Sequence, residues 1–96
     1  MPLFPIRIYR VAERSMEPKI KEGSYVFVNC FYKKLNVGDA VVFRSPEKDM
    51  ILVKRIASID EKRIFVVGDN GTESRDSRIF GTISRNSVIG RVFAVV

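Results

Sequence analysis

Short apolar segments with a strand-like pattern run through the sequence and constrain its fold more than any other feature. They are rich in β-branched and aromatic residues, which pack well on a pleated sheet, and none reaches the length of an amphipathic helix. The segments cover residues 6–11, 25–28, 40–43, 51–53, 64–67 and 92–96. The best candidate for helical structure is only a turn or two, at 16–21. We therefore predict an all-β, mostly antiparallel fold.

Clusters of turn-forming residues separate these segments. Gly, Pro, Asn and Asp supply the backbone freedom or the local hydrogen bonds that turns need. The clusters lie at 22–24, 36–39, 45–49, 60–62 and 68–71. The turn at 60–62 predicts a hairpin between strands at about 51–59 and 63–67. Since neither a repeat nor a low-complexity linker is present, we predict one domain over 1–96.

The composition narrows the chemistry that the chain can perform. It has no histidine and a single cysteine, Cys30, which excludes an internal disulfide. A Ser/His/Asp triad, a Cys/His dyad and a zinc-type cluster are also excluded, so a hydrolase would need Lys, Asp, Glu or Tyr for proton transfer. The net charge of +6 does not identify a partner, because the basic residues are spread along the whole chain.

No membrane-spanning or secretory segment is evident. The chain lacks the roughly 18 consecutive apolar residues of a membrane helix, and charges interrupt its first ten residues, where a secretory signal would be apolar. We expect a soluble, cytoplasmic chain without a membrane anchor. Peripheral membrane contact stays open, because any exposed side chains among Leu3, Phe4 and Ile6 could touch lipid.

Three short motifs stand out as carriers of chemistry. They read SMEP at 15–18, LVKR at 52–55, and GDN at 68–70 followed by SRDSR at 74–78 and Gly81. Each alone has an ordinary structural explanation, as a cap, a solvated strand charge or a turn. In this order and spacing they resemble the boxes of the type I signal peptidase family, whose self-cleaving relatives include the LexA-type repressor domain. The resemblance extends from about residue 10 to residue 91.

The resemblance implies a fold, a site and an activity. The fold would be the twisted all-β platform of the signal peptidase and LexA-type peptidases, reduced to a minimal catalytic core. Ser15 would be the nucleophile and Lys54 the general base. Ser74 would hold the lysine amine by a hydrogen bond, while Asp76 and Arg78 would form an ion pair behind the site. The supporting residues are therefore Met16, Ser74, Asp76 and Arg78.

The sequence around Lys54 favours a basic role independently of the family. A lysine has an ordinary pKa of about 10.4, which must fall by roughly 3 before the amine is a base near neutral pH. Burial can lower the pKa of a lysine by up to about 3 to 5. Strand alternation places Met50, Leu52 and Ile56 on the face of Lys54, which would supply an apolar setting.

The segment around Ser15 departs from the family pattern. Signal peptidases commonly place a small or hydroxyl residue two positions before the nucleophile, where it can help to bind the oxyanion, but this chain has Glu13. An ionised carboxylate there would oppose oxyanion charge and favour protonated Lys54. We expect Glu13 to point away in a local turn, leaving the Ser15 N–H as oxyanion donor. Arg14 and Lys19 replace a usual glycine and threonine, which leaves substrate preference open.

We therefore predict a serine endopeptidase that cleaves a precursor protein or a signal or propeptide. Small family members that trim precursors, such as nickel superoxide dismutase maturation proteases, fit its size. The substrate would bind extended, between the residues preceding Ser15 and the strand leading to Lys54, with neither metal nor cofactor required.

Two alternatives remain open. One is a catalytically silent member of the fold that serves as a binding or regulatory module, which Glu13 favours. The other is a basic β-barrel that binds nucleic acid, motivated by the charge and by three Tyr and seven Phe. Most of these aromatics alternate like core residues and no basic cluster marks one face, so we expect no nucleic-acid partner.

Overall fold

The computed structural model describes residues 5–47 and 50–96, and in these ranges the chain forms a curled sheet of seven strands. The strands are β1 (Ile6–Arg10), β2 (Tyr25–Asn29), β3 (Ala40–Arg44), β4 (Ile51–Ile59), β5 (Arg63–Val67), β6 (Ile83–Ser84) and β7 (Val88–Val95). Their order across the sheet is β1-β2-β7-β3-β4-β5-β6, and the paired neighbours run antiparallel. The predicted all-β, mostly antiparallel fold is confirmed.

Side-chain alternation explains why these segments form strands. Val26 and Val28 of β2 are buried, while Tyr25, which lies on the other face of the strand, is 48% exposed. Residues 40–43 of β3 are buried without alternation, because β3 lies between β4 and β7 and is covered on both faces.

The core consists of two clusters on the two sides of the curled sheet. The first contains Leu35, Val41, Phe43, Leu52, Ile56, Ile64, Val66 and Ile83. The second contains Met16, Ile20, Val26, Val28, Ala40 and Val42. Consecutive residues of β3 alternate between the two clusters, so this central strand joins them.

The predicted β4–β5 hairpin is confirmed, and the Asp60 side chain shapes its turn. Asp60 Oδ1 accepts hydrogen bonds from the N–H groups of Lys62 at 2.8 Å and Arg63 at 2.7 Å. The turn predicted at 45–49 includes residues 48 and 49, which lie outside the described ranges, as do Leu3 and Phe4. Ile6 is 50% exposed.

The chain also contains elements that the apolar pattern does not predict. A short helix, α1 (Ser77–Phe80), begins at Asp76, whose side chain accepts a hydrogen bond from the Arg78 N–H. β7 begins at Val88, four residues before the predicted segment, and β6 has only two residues. The candidate helix at 16–21 consists of turns. No helix in the described ranges is long and apolar enough to cross a membrane.

Candidate active site

A groove runs between the end of β1 and the start of β4. It has a volume of about 250 Å³ and is lined by residues 9–13 on one side and by Val42 and residues 50–53 on the other. β4 pairs with β5 only from Arg55 onward, so the first half of β4 has no strand on that side within the described ranges. The curled sheet therefore brings two strand segments to face each other across an open space.

Ser15 and Lys54 meet beside this groove. The Lys54 Nζ donates a hydrogen bond to the Ser15 Oγ at 2.6 Å. Lys54 is 0% exposed and Ser15 is 3% exposed. The two residues are 39 positions apart in the chain, so this contact depends on the folding of the whole sheet.

Each member of the pair is fixed by its own element. Ser15 lies in the turns after β1, and the next residue, Met16, is 1% exposed in the second core cluster. The Met16 carbonyl accepts the Ile20 N–H at 2.9 Å, which closes the turn. Lys54 lies in the middle of β4 opposite Val41, so its backbone is held by a paired strand. Both groups are therefore preorganised for contact.

Burial lowers the pKa of the Lys54 ammonium. The charges of Glu13 and Asp76 act in the opposite direction, while Arg78 lowers the pKa further, and the net effect leaves it below its ordinary value. Leu52 and Ile56 supply the buried apolar neighbours on β4 that alternation predicts. Met50 is an exception, with 48% exposure, because it precedes the strand.

Asp76 organises the polar residues behind the pair. It is fully buried, and its carboxylate accepts hydrogen bonds from Arg78 Nη2 at 2.6 Å, the Ser74 Oγ at 2.7 Å and the Gly68 N–H at 2.8 Å. Burial opposes ionisation of Asp76, but these hydrogen bonds outweigh it and hold its pKa well below the ordinary range. Asp76 and Arg78 form the expected ion pair. The Ser74 hydroxyl, however, donates to Asp76, and the expected hydrogen bond between Ser74 and the Lys54 amine is not present among the described residues.

The GDN loop holds the backbone of the Ser15 segment. The Asn70 N–H donates to the Ser15 carbonyl at 2.7 Å, and the Asn70 side chain donates to the Arg14 carbonyl at 3.2 Å. Asp69 in turn forms two hydrogen bonds of 2.8 Å with the Arg55 guanidinium. The loop that we interpreted only as a turn therefore connects the Ser15 backbone to β4. The hairpin register could have indicated this, because it places Arg55 opposite Val67, two residues before Asp69.

Gly68 allows the closest packing in the site. A Cβ at this position would lie 2.2 Å from the Ser74 Oγ and 2.7 Å from the Ser15 carbonyl oxygen. Gly68→Ala is therefore expected to displace both segments, to cost about 1–3 kcal/mol in the free energy of unfolding, and to weaken any activity of Ser15. Chemical denaturation checks the stability. Gly71→Ala is the matched control, because its nearest contact would be 3.4 Å, and a Gly68→Ala variant as stable as that control would contradict the packing.

Glu13 does not turn away from the site as expected. It lines the groove, and among the charges that raise the pKa of Lys54 its contribution is the largest. Within the described ranges no ion pair joins Glu13 to Lys54, so the lysine keeps its hydrogen bond to Ser15. The Arg14 side chain is 58% exposed and forms an ion pair with Glu17 at 3.5 Å, so it is not part of the Ser15–Lys54 pair.

The Ser15 N–H is available as a donor. Among the hydrogen bonds of the described residues, none uses this N–H. It is therefore a backbone donor at Ser15 without an acceptor in the described ranges. The same ranges contain no cluster of three or more acidic or cysteine side chains arranged to hold a metal ion.

Comparison with known proteins identifies the family. The family model described as "Signal peptidase, peptidase S26" matches residues 1–60 and 57–96. The chain therefore belongs to the signal peptidase family, and this membership supports a peptidase type of hydrolase function. No curated protein matches the chain.

Proposed function

We propose that this protein is a serine endopeptidase in which Ser15 is the nucleophile and Lys54 the general base. The observation that carries the proposal is the 2.6 Å hydrogen bond between the Lys54 Nζ and the Ser15 Oγ, made by a lysine with no exposed surface. A buried amine with a lowered pKa can accept the serine proton, and the distance lies within the range for direct proton transfer.

The chemical steps follow from this geometry. The Ser15 Oγ attacks the carbonyl carbon of the scissile bond while its proton passes to Lys54 Nζ. The Ser15 N–H stabilises the resulting oxyanion. The intermediate collapses to an acyl-enzyme, and Lys54 gives the proton to the leaving amine. Lys54 then takes a proton from the water that attacks the ester carbonyl, and returns it to the Ser15 Oγ as the C–O bond of the ester breaks and the carboxylic acid product leaves.

The groove suits an extended peptide. The Met50 carbonyl accepts the Ser45 N–H, and the Ile56 N–H donates to the Asp39 carbonyl. The backbone N–H and C=O groups of the even-numbered residues of β4 therefore point toward β3. In an antiparallel ladder the N–H and C=O groups of Ile51 and Val53 then point to the opposite side, toward the groove. A precursor segment could pair with these groups as an added strand, which would deliver its carbonyl to Ser15.

The alternative of a silent binding module is less well supported. That alternative calls for a solvent-exposed Lys54 paired with Glu13, whereas Lys54 is buried and bonded to Ser15. The cytoplasmic location inferred from the sequence stays a prediction.

The experiment that tests the proposal uses a defined mixture of unstructured peptides. The parent protein is expected to cleave a subset of them, as mapped by mass spectrometry, and Ser15→Ala is expected to cleave none. Ser24→Ala serves as a control for serine replacement and should keep the parental products. Cleavage that persists in Ser15→Ala would contradict the proposal, as would a parent protein that cleaves no peptide.

The pH dependence of kcat/KM gives a separate prediction. Only neutral Lys54 accepts a proton, so kcat/KM should rise with pH through the pKa of Lys54. Glu13 and Asp76 raise this pKa and Arg78 lowers it, and Glu13 is the charge among them that lines the groove. Glu13→Gln should therefore shift the rising limb to lower pH. A limb that stays in place, or that moves to higher pH, would contradict the electrostatic influence of Glu13 on Lys54.

A further inference from the structure

The Glu13 carboxylate is the acidic group of the groove, and it has no partner. None of the hydrogen bonds or ion pairs of the described residues involves it. The Arg14 side chain pairs with Glu17, and Arg10, which also lines the groove, forms no ion pair with Glu13 within the described residues. The Glu13 carboxylate is thus half-buried beside the groove and has no protein partner among the described residues.

A second oxygen among the groove-lining residues also lacks a partner. Tyr9 lines the groove, and its hydroxyl is buried with no hydrogen bond within the described ranges. Buried hydroxyl groups are normally satisfied, so an orphaned one beside a groove is a feature that a ligand could complete. The remaining lining residues are mostly apolar, among them Val11, Val42, Ile51 and Val53.

We propose that Glu13 selects peptides that carry a lysine or arginine within about two residues of the cleaved bond. The inference rests on the proposed function, because that function places the scissile carbonyl at Ser15. Glu13 is two residues from Ser15, which limits the separation of their Cα atoms to about 7 Å. An extended substrate advances about 3.3 Å per residue, so this reach corresponds to about two residues on either side of the cleaved bond.

The chemistry of the groove matches such a side chain. A lysine or arginine has an apolar stem that can lie against the valine and isoleucine side chains, and a cationic head that can reach the carboxylate. Binding would also neutralise the charge that most strongly raises the pKa of Lys54. A cationic substrate would therefore both gain affinity from Glu13 and favour the neutral, basic form of Lys54.

The test separates recognition from cleavage by using the Ser15→Ala protein. Peptides randomised at the positions before and after a central residue are selected by affinity on this protein and identified by mass spectrometry. We expect lysine and arginine to be enriched at least about fivefold over norleucine, an apolar analogue of similar shape, at one position. In Ser15→Ala/Glu13→Gln the enrichment should disappear, and in Ser15→Ala/Glu61→Gln, an exposed turn control, it should persist.

Cleavage of the same mixture by the parent protein distinguishes the two proposals. If basic residues are enriched in binding but the parent cleaves nothing, the peptidase proposal fails, and Glu13 remains a determinant of peptide binding only. If the parent cleaves without preference for a basic residue and binding shows none, the peptidase proposal stands and the role of Glu13 is overturned. Equal recovery of lysine and norleucine peptides, or enrichment that survives Glu13→Gln, also overturns it.

Discussion

Lys54→Met is expected to lower peptide cleavage by at least about 10³-fold, because it removes the base that activates Ser15. Methionine has a similar length and fits a buried apolar site, so the fold should persist. Measurement of kcat/KM on a peptide that the parent cleaves checks the effect. Lys33→Met is the matched control, since Lys33 is exposed and distant in sequence from the pair.

Lys54→Met should also change how the free energy of unfolding depends on pH. The pKa of Lys54 is lower in the folded than in the unfolded chain, so between these two values the unfolded chain binds more protons and parental stability rises with pH. Below the pKa that Lys54 has in the folded chain, the lysine is protonated in both states, so burial of the ammonium lowers the free energy of unfolding of the parent by its full amount. The stability of Lys54→Met relative to the parent should therefore increase as the pH falls. A pH-independent difference in the free energy of unfolding would contradict a buried lysine with a lowered pKa.

Asp76→Ala is expected to produce the largest loss of stability among the site variants, about 3–5 kcal/mol. The change removes the acceptor of Arg78, Ser74 and the Gly68 N–H together and leaves the buried members of that group without a partner. Urea denaturation measures the loss. Arg78→Ala should cost less, because the Arg78 side chain is 48% exposed and Asp76 keeps its other three donors, which are the Ser74 hydroxyl, the Gly68 N–H and the backbone N–H of residue 78. Equal losses for the two variants would contradict this account, because they would show that the hydrogen bonds of Asp76 to Ser74 and Gly68 add nothing to the ion pair.

Acid unfolding tests the same carboxylate in the intact chain. The pKa of Asp76 is depressed by folding, so its contribution is fully present above the ordinary carboxyl pKa of about 3.9 and is lost as the pH falls through the folded value. The stability gap between the parent and Asp76→Asn should narrow below about pH 4. A gap that widens there would contradict a lowered pKa.

The strands could be predicted where the apolar pattern was continuous. The β4–β5 hairpin combines alternating apolar residues with an Asp-led turn, so both its strands and its turn are local in sequence. β6 and the first residues of β7 escape prediction because their contacts are distant. β6 has two residues and is defined by pairing with β5, while Gly90, early in β7, is buried against Val28 and Asn29 of β2.

Some features of the candidate site could likewise be predicted from the sequence, and others could not. Ser15 and Lys54 could be selected because their motifs resemble those of the signal peptidase family, with support from the absence of histidine, and the structure places them in contact. The partner of Ser74 and the role of Asn70 could not be selected, because they depend on how a loop folds back onto a strand. The orientation of Glu13 was predicted incorrectly, since Glu13 lines the groove and its charge acts on Lys54, an effect that depends on the fold of residues distant in sequence.

The most direct test of the proposed mechanism is the site and rate of reaction with a peptide phosphonate that modifies nucleophilic serines. Peptide mapping by mass spectrometry should find the adduct on Ser15, formed faster as the pH rises through the pKa of Lys54, and nearly absent in Lys54→Met. An adduct on another serine, or an equal rate of Ser15 modification in the parent and in Lys54→Met, would contradict the Ser15 and Lys54 pair as the catalytic centre.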